Sequence, residues 1–394
     1  DQPRSRGLGD VYKRQFRNNS SPNGGAMRLH SSSPTISDCT FSGNGYGVGG
    51  AISCQGGSSP DITNCVFSDN RASGGGGVFY CEGGSSPRVT NCAFSDNSGG
   101  DGGVFCCKGD CNPMVTDCTF TNNSASSMGG AFYCTTNCNP TITDCTFTGN
   151  SARNGGAIAW SFQAHGSSPT ITNCVFSGNT AEYGGAIFYE DTGNAAISNC
   201  VFSNNTANTS GGAVYSSGYC SPNFVNCSFC GNTAYYGGAI FCDYFTYVTV
   251  TNCTIGGNSA TYHGGAVFCF SSYAAPTLNN CILWGNSASN GDEIYIAGST
   301  CSCTLNYCCV DNTGYGGYTG NIDDSNNCIF VDPEFVSSAN GDYRLKDTSP
   351  CIDAGNDGYV PAGVTTDLDG NQRIVDGDND GTATVDIGAY EYQP

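Results

Sequence analysis

The stretch NCVFSGNTAEYGGAIFY, residues 173–189, decides the fold, because close copies of it recur along the chain. Aligned on the cysteine that follows Asn or Asp, ten copies run from Cys39, Cys65 and Cys92 through Cys174 to Cys253 and Cys281, at spacings of 26 to 29 residues. A period of that size sustained over so many copies specifies a solenoid. Two residues after the cysteine stands Phe, Ile or Leu, from Phe41 to Leu283, and five after it an Asn in every copy, from Asn44 to Asn286. A Gly-Gly pair then opens a short apolar run, as in Gly155-Gly156-Ala157-Ile158. An eleventh cysteine, Cys308, keeps the spacing with Val310 in the Phe column, but Thr313 replaces the Asn.

Each period holds two or three short runs rich in Ile, Val, Thr, Phe and Cys, separated by Gly, Asn, Ser and Pro, with no apolar pattern of helical length. Because every strand recurs one period later with the same side chains, like stacks on like at the inter-strand spacing. The predicted class is all-β: a right-handed parallel β-helix, a single-stranded solenoid of about 26–27 residues per coil, with a small irregular C-terminal domain. Leucine-rich repeats would need a Leu ladder, and a propeller four antiparallel strands in a longer period. Small Cys and larger Phe are expected to point inward. The Asn is expected to sit at a turn, tolerating left-handed φ and bonding the Asn above and below, so its column reads as an internal ladder. The Gly-Gly pairs supply positive φ or close backbone approach at the next corner.

Residues 1–15, DQPRSRGLGDVYKRQ, carry four of the chain's thirteen Lys and Arg and none of the repeat grammar. DVYKRQ corresponds to codons that resemble a transposase end sequence used to fragment DNA for sequencing libraries, so this segment is expected to be foreign. The repeat grammar resumes at Phe16 and continues to about Asp311; residues 312–394 form a terminal coil and a tail. With 33 acidic against 13 basic residues the formal charge is −20, which argues against nucleic acid as a partner. No apolar run approaches the length of a membrane span.

Of 27 cysteines, eleven occupy the inward column, and a second column includes Cys54, Cys81, Cys107, Cys134, Cys242 and Cys269, interchangeable with Trp160 and Tyr189. Both read as packing. Cys107 and Cys111 lie one period from Cys134 and Cys138, and Cys301, Cys303, Cys308 and Cys309 form another group; packing or disulfides are preferred over zinc.

The tail changes vocabulary: Asp332-Pro333-Glu334-Phe335, Ser349-Pro350-Cys351-Ile352-Asp353-Ala354-Gly355, Asp367-Leu368-Asp369-Gly370-Asn371-Gln372-Arg373 and DIGAYEY at 386–392. On these motifs the chain resembles a bacterial family of parallel β-helix proteins that end in a choice-of-anchor domain. The Gly-Gly-Ala and Phe-x-x-Asn elements are similar to the repeats of chlamydial polymorphic outer membrane proteins. The resemblance implies a secreted or surface-displayed bacterial protein, extracellular or at the cell surface, with an adhesion role; no autotransporter barrel or sorting segment accompanies it here.

Three candidate sites follow from the residues. Tyr235 and Tyr262 share a turn column on adjacent coils, Tyr236 pairs with His263, and Tyr244, Tyr247 and Tyr273 lie close by; exposed rings suit stacking on a glycan or a host or cell-surface protein, or else shield the coil. Asp69 and Asp96 share a column one coil apart and offer paired carboxylates for the alternative, a polysaccharide lyase or glycoside hydrolase, although no cluster of basic residues accompanies them. His30, His165 and His263 share no repeat position. In the tail, Asp376, Asp378 and Asp380 have the spacing of a calcium loop, with Asp386 as a further ligand one residue early.

Overall fold

The computed structural model describes residues 11–161, 166–190 and 192–394; His165 and most of the N-terminal segment, residues 1–10, lie outside them. The chain divides into two compact units, one ending at Ala195 and the other beginning at Ala196.

In the first unit a representative coil consists of four short strands, Thr35–Ser37, Thr40–Ser42, Gly45–Val48 and Ile52–Gln55. Each pairs in parallel with its counterpart one period on, in the register Ile36 to Ile62, Phe41 to Phe67, Ala72 to Tyr46 and Cys54 to Cys81. That register brings equivalent residues face to face. Phe41, Phe67 and Phe94 form a continuous stack with centroids 4.8 and 4.9 Å apart. Phe79, Phe105 and Phe132 form a second, at 4.6 and 4.4 Å. Both stacks are excluded from solvent and fill the interior.

Two of the corners that take a left-handed residue flank the strand that follows the cysteine. One immediately precedes the cysteine, at Asp38, Asn64, Asn91, Asp117 and Asp144; the other immediately precedes the Asn, at Gly43, Asp69, Asp96, Asn122 and Gly149. The column Asn itself is therefore not the left-handed residue, contrary to the expectation from sequence; the residue before it takes that strain. The column Asn is free to act as a ladder. Asn150 Oδ1 accepts the backbone N–H and the Nδ2 of Asn123, both at 3.0 Å, while its own Nδ2 reaches Phe120 O at 2.9 Å and Asn179 Oδ1 at 3.0 Å. In the glycine pair the division of labour is clear: Gly49 has φ +62°, and a Cβ on Gly50 would lie 2.1 Å from Gly77 O.

The inward cysteines form a second polar ladder. Cys39 N–H donates to Cys65 Sγ at 3.4 Å and Cys65 N–H to Cys92 Sγ at 3.3 Å, while the Cys39 thiol donates to Ser37 O at 3.1 Å. They are more than small apolar fillers, because the sulfur satisfies a buried backbone donor at each corner.

The N-terminal segment reaches into the first coil. Val11–Tyr12 pairs with Ile36–Ser37, and Gln15 with Thr40. Val11–Tyr12 and Gln15 thus lie in strands, with left-handed Lys13 at the corner between them, despite lacking the repeat vocabulary, because backbone pairing asks little of the side chains.

In the second unit parallel pairing continues beyond Asp311, with Tyr315–Gly317 on Ile294–Ile296 and Ile322–Asn326 along Cys303–Asn306. The Asn ladder ends differently here. Where Thr313 replaces Asn, the buried carboxylate of Glu293 accepts Asn286 N–H at 3.2 Å and Asn286 Nδ2 at 2.6 Å. Its two oxygens take the place of the next Asn side-chain carbonyl, and burial pushes its pKa up to about 8.

The tail adds two antiparallel strand pairs, Phe335–Ser337 with Asp342–Leu345 and Ile374–Val375 with Thr384–Val385. It lies against the flank of the second unit's coils. Tyr343 OH donates to Gly256 O at 2.8 Å, Ala389 N–H to Thr254 Oγ1 at 3.0 Å, and Asn226 Nδ2 to Thr366 O at 2.7 Å. The shared core joins Ile282 and Cys309 of the coils to Phe335, Tyr343, Leu345, Cys351 and Ile387 of the tail.

Candidate functional site

Tyr235 and Tyr262 come from the strands Thr233–Tyr236 and Ser259–His263, which pair in parallel with a register shift at their ends. The shift accommodates the extra turn residue and leaves both rings outside the coil. They are 37% and 44% exposed, with centroids 4.4 Å apart and planes inclined by 30°. Tyr236 is half-buried and packs toward Phe268 at 5.4 Å. His263 stacks on Tyr295 at 4.1 Å and faces Tyr236 at 5.9 Å. The histidine is held inside an aromatic stack, a place that suits packing better than proton transfer.

The remaining tyrosines form a separate group beyond the other end of the post-glycine strands. Tyr219 stacks on Phe245 at 4.5 Å, Tyr244 meets both rings edge-on, and Tyr273 packs on Phe245 at 4.9 Å. Tyr247 is exposed nearby without a ring contact. Between the two groups the row Tyr215, Phe241, Phe268 joins rings at 5.2 and 5.1 Å; Phe241 and Phe268 are buried, and half-exposed Phe270 touches both. Asp243 lies beside this row, accepting Tyr215 OH at 2.8 Å and a short bond from Ser271 Oγ.

The sequence reading thus found the two turn groups but placed them in one site. It missed the row that lies between them and Tyr295 that stacks on His263. The signal was present: Tyr215, Phe241, Phe268 and Tyr295 recur at spacings of 26 and 27, one residue before the second cysteine column. The charge around these rings is one-sided. No Lys or Arg occurs anywhere between Arg153 and Arg344, while Asp243, Asp292 and Glu293 lie on the same coils.

Asp69 and Asp96 have φ of 54° and 55°, in a column that Gly43, Gly149 and Gly178 also fill at positive φ. Their conformation explains their identity, because Asp and Asn are the non-glycine residues that best tolerate it. Asp69 does line an open cleft together with Arg71 and Tyr46.

The tail carboxylates separate into two sets. Asp376 and Asp378 come together with Asp353, one oxygen from each lying within 4.8 Å of the others. Asp380 instead accepts Thr382 N–H, and Asp386 is buried, accepting Asp353 N–H at 2.8 Å and Tyr392 N–H at 2.6 Å. The calcium set expected from sequence spacing is thereby altered: Asp353 replaces Asp380 and Asp386 as neighbour of the other two, because the fold turns Asp386 into the tail core. There it belongs to a buried network with Arg373, Glu391 and Asp367. Arg373 Nε lies 3.7 Å from Glu391 Oε2, and Nη2 donates to the carbonyls of Asp386 and Gly388. Burial dominates both sides of this pair, lowering the pKa of Arg373 and raising that of Glu391 to about 9.

The cysteines do not converge on a metal. Among the described residues no three sulfurs lie close enough to share one ion; Cys81 and Cys107 instead form hydrogen-bonded rungs with Cys54 and Cys134 on neighbouring coils. Among the described residues no helix is long and apolar enough to cross a membrane.

A family model described as a right handed beta helix region matches residues 10–165 and again residues 158–352. No curated protein and no solved structure gives a significant match.

Proposed function

The chain belongs to the right-handed β-helix family, and from that premise we propose that it is a non-catalytic, surface-displayed bacterial protein whose second unit contacts neutral glycans. The observation that carries this reading is the exposed Tyr235–Tyr262 pair, backed by half-buried Tyr236 and buried Phe268 and joined through them to exposed Phe270, in a stretch that lacks any Lys or Arg. Flat rings stack on sugar faces without needing charge. An acidic polysaccharide would meet only carboxylates there and be repelled, so selectivity for uncharged sugars follows from the same surface. Export to the cell surface is part of the proposal and rests on the family resemblance of the repeats and tail.

The test is retention of the whole protein on an array of neutral and acidic polysaccharides. Replacing Tyr235→Ser and Tyr262→Ser together is expected to weaken retention on neutral glycans about tenfold, since each stacked ring contributes about 0.5–1.5 kcal/mol. Both rings are exposed and Tyr236 is left in place, so the melting curve should not move. Unchanged retention in the double variant would overturn the reading.

The same fold is compatible with polysaccharide lyases, and the cleft shared by Asp69, Arg71 and Tyr46 is the feature that favours that alternative. Release of unsaturated or reducing sugars, lost on Asp69→Asn with Asp96→Asn and indifferent to the tyrosines, would establish it instead.

A further inference from the structure

Cys309 occupies the outward position at the start of the strand Cys309–Val310, paired with Ile282 one coil earlier. The same column is filled by Thr40, Val66, Ala93, Thr119, Thr146, Val175, Val201, Ser228, Thr254 and Ile282, so Cys309 is its one cysteine. Residues 332–394 likewise contain one cysteine, Cys351. Both carry free thiols, both are wholly buried, and both belong to the core that joins coil to tail. The Cys309 thiol donates to Val331 O at 3.2 Å, Cys351 N–H donates to Ser349 Oγ at 3.2 Å, and the nearness of Cys309 together with burial raises the pKa of Cys351.

Chance would not be expected to bring the tail's single cysteine onto the column's single cysteine. Thiols of the coil interior have other work: in the inward column Cys65 and Cys92 accept backbone N–H groups, and Cys54, Cys81, Cys107 and Cys134 stand in a row where an inner sulfur has a neighbour on each side. Within the core that joins coil to tail, Cys309 is the wholly buried sulfur that accompanies Cys351, while the half-buried Cys230 packs against that core from outside it.

We propose that Cys309 and Cys351 form a disulfide that tethers the C-terminal tail covalently to the flank of the coils. Bond formation brings the two sulfurs from neighbouring places in one core to a bonded separation of about 2 Å. The oxidant is a small-molecule disulfide. The thiolate of one cysteine attacks it, forming a mixed disulfide and expelling one thiol; the second thiolate then displaces the remaining thiol, so two protein S–H bonds become one S–S bond while the reagent is reduced to two thiols. Because both sulfurs are inaccessible in the docked state, exchange takes place before the tail closes, and closure then shields the bond from reductants. The tether persists in an oxidising compartment. It does not rest on the glycan reading.

The experiment refolds the full chain in a glutathione and glutathione-disulfide buffer, blocks remaining thiols, and maps peptides without reduction. Pepsin is suitable, since trypsin has no site between Arg153 and Arg344. The expected result is a peptide linking Cys351 to Cys309, with fragmentation distinguishing Cys309 from the adjacent Cys308. Reduction before refolding should lower the melting temperature of the tail by roughly 4–16 °C. Cys309→Ala and Cys351→Ala should each abolish the linked peptide and match the reduced protein, and the double variant should match either single one. Full alkylation of Cys351 in the refolded wild-type protein, or its linkage to any other cysteine, would overturn the proposal; this outcome is read on wild type and does not depend on a variant folding.

Discussion

The outward faces of the two units differ more than their interiors do. In the first unit the outward residues of the post-cysteine strands face solvent, with Val66 44% and Val175 38% exposed. In the second the same column is covered: Ser228, Thr254 and Ile282 are buried beneath the tail. The row one residue before the second cysteine column, though largely buried, diverges as well, running Ser53, Tyr80, Cys106, Tyr133, Ala159 and Phe188 in the first unit and Tyr215, Phe241, Phe268 and Tyr295 in the second. The basic residues follow the same division, since every Lys and Arg of the coils stands at or before Arg153. The lesson is that the repeat constrains what points in, by stacking and ladder bonds, and leaves what points out free to acquire a partner. The tail is one such partner, an internal one.

Four perturbations would break or sharpen this contrast. The largest effect is expected at Arg373, which has no counterpart in the first unit. Arg373→Ala leaves the buried Asp386 carboxylate without its cation and the carbonyls of Asp386 and Gly388 without their donor, and should destabilise the tail by about 3–5 kcal/mol. Hydrogen exchange should show loss of protection in the tail while residues 35–160 keep theirs; uniform loss would mean that the network is not local. Next, Asn150→Ala and Asn232→Ala should cost about the same, roughly 2–3 kcal/mol each, because both ladders leave paired donors and acceptors stranded inside. Unequal unfolding midpoints would show that the ladder is not a shared interior device.

The third perturbation is pH. Glu293 and Glu391 have folded pKa values of about 8 and 9 against an ordinary value of 4.5, both raised first by burial. A raised acid pKa means that the folded state holds a proton the unfolded chain has released. Stability of the second unit should therefore be highest below about pH 4.5 as far as these groups are concerned, and fall as pH rises toward 8 and 9. Glu293→Gln should flatten the first part of that slope in a series of melts from pH 5 to 8; an unaltered slope would show that Glu293 keeps its charge when buried. The smallest effect concerns cations. Millimolar calcium should raise the melting temperature of the tail by roughly 1–2 °C through Asp353, Asp376 and Asp378, and Asp353→Asn should remove the increment, whereas Asp380→Asn should not. Calorimetry of the full chain without heat on calcium addition would remove this site.

Much of the interior was readable from the period alone. Phe41, Phe67 and Phe94 stack because equal spacing forces equal register, and Asn123 meets Asn150 for the same reason. Asp69 and Asp96 show that a column of acids can have a backbone reason that spacing does not reveal: φ of 54° and 55° makes Asp an alternative to Gly at that corner. Asp386 shows the reverse, since its spacing fits a cation loop and its burial gives it to the tail core.

By itself the sequence determined the coil, its register, its inward stacks and ladders, and the location of the aromatic turns, because a translational repeat converts spacing directly into contact. Only the tertiary structure decided how the tail lies against Thr254, Gly256 and Ile282, that Glu293 ends the Asn ladder, that Asp353 joins Asp376 and Asp378, and that Cys351 meets Cys309. These contacts join segments with no common period, and such packing depends on shape and burial in three dimensions, which no spacing along the chain encodes.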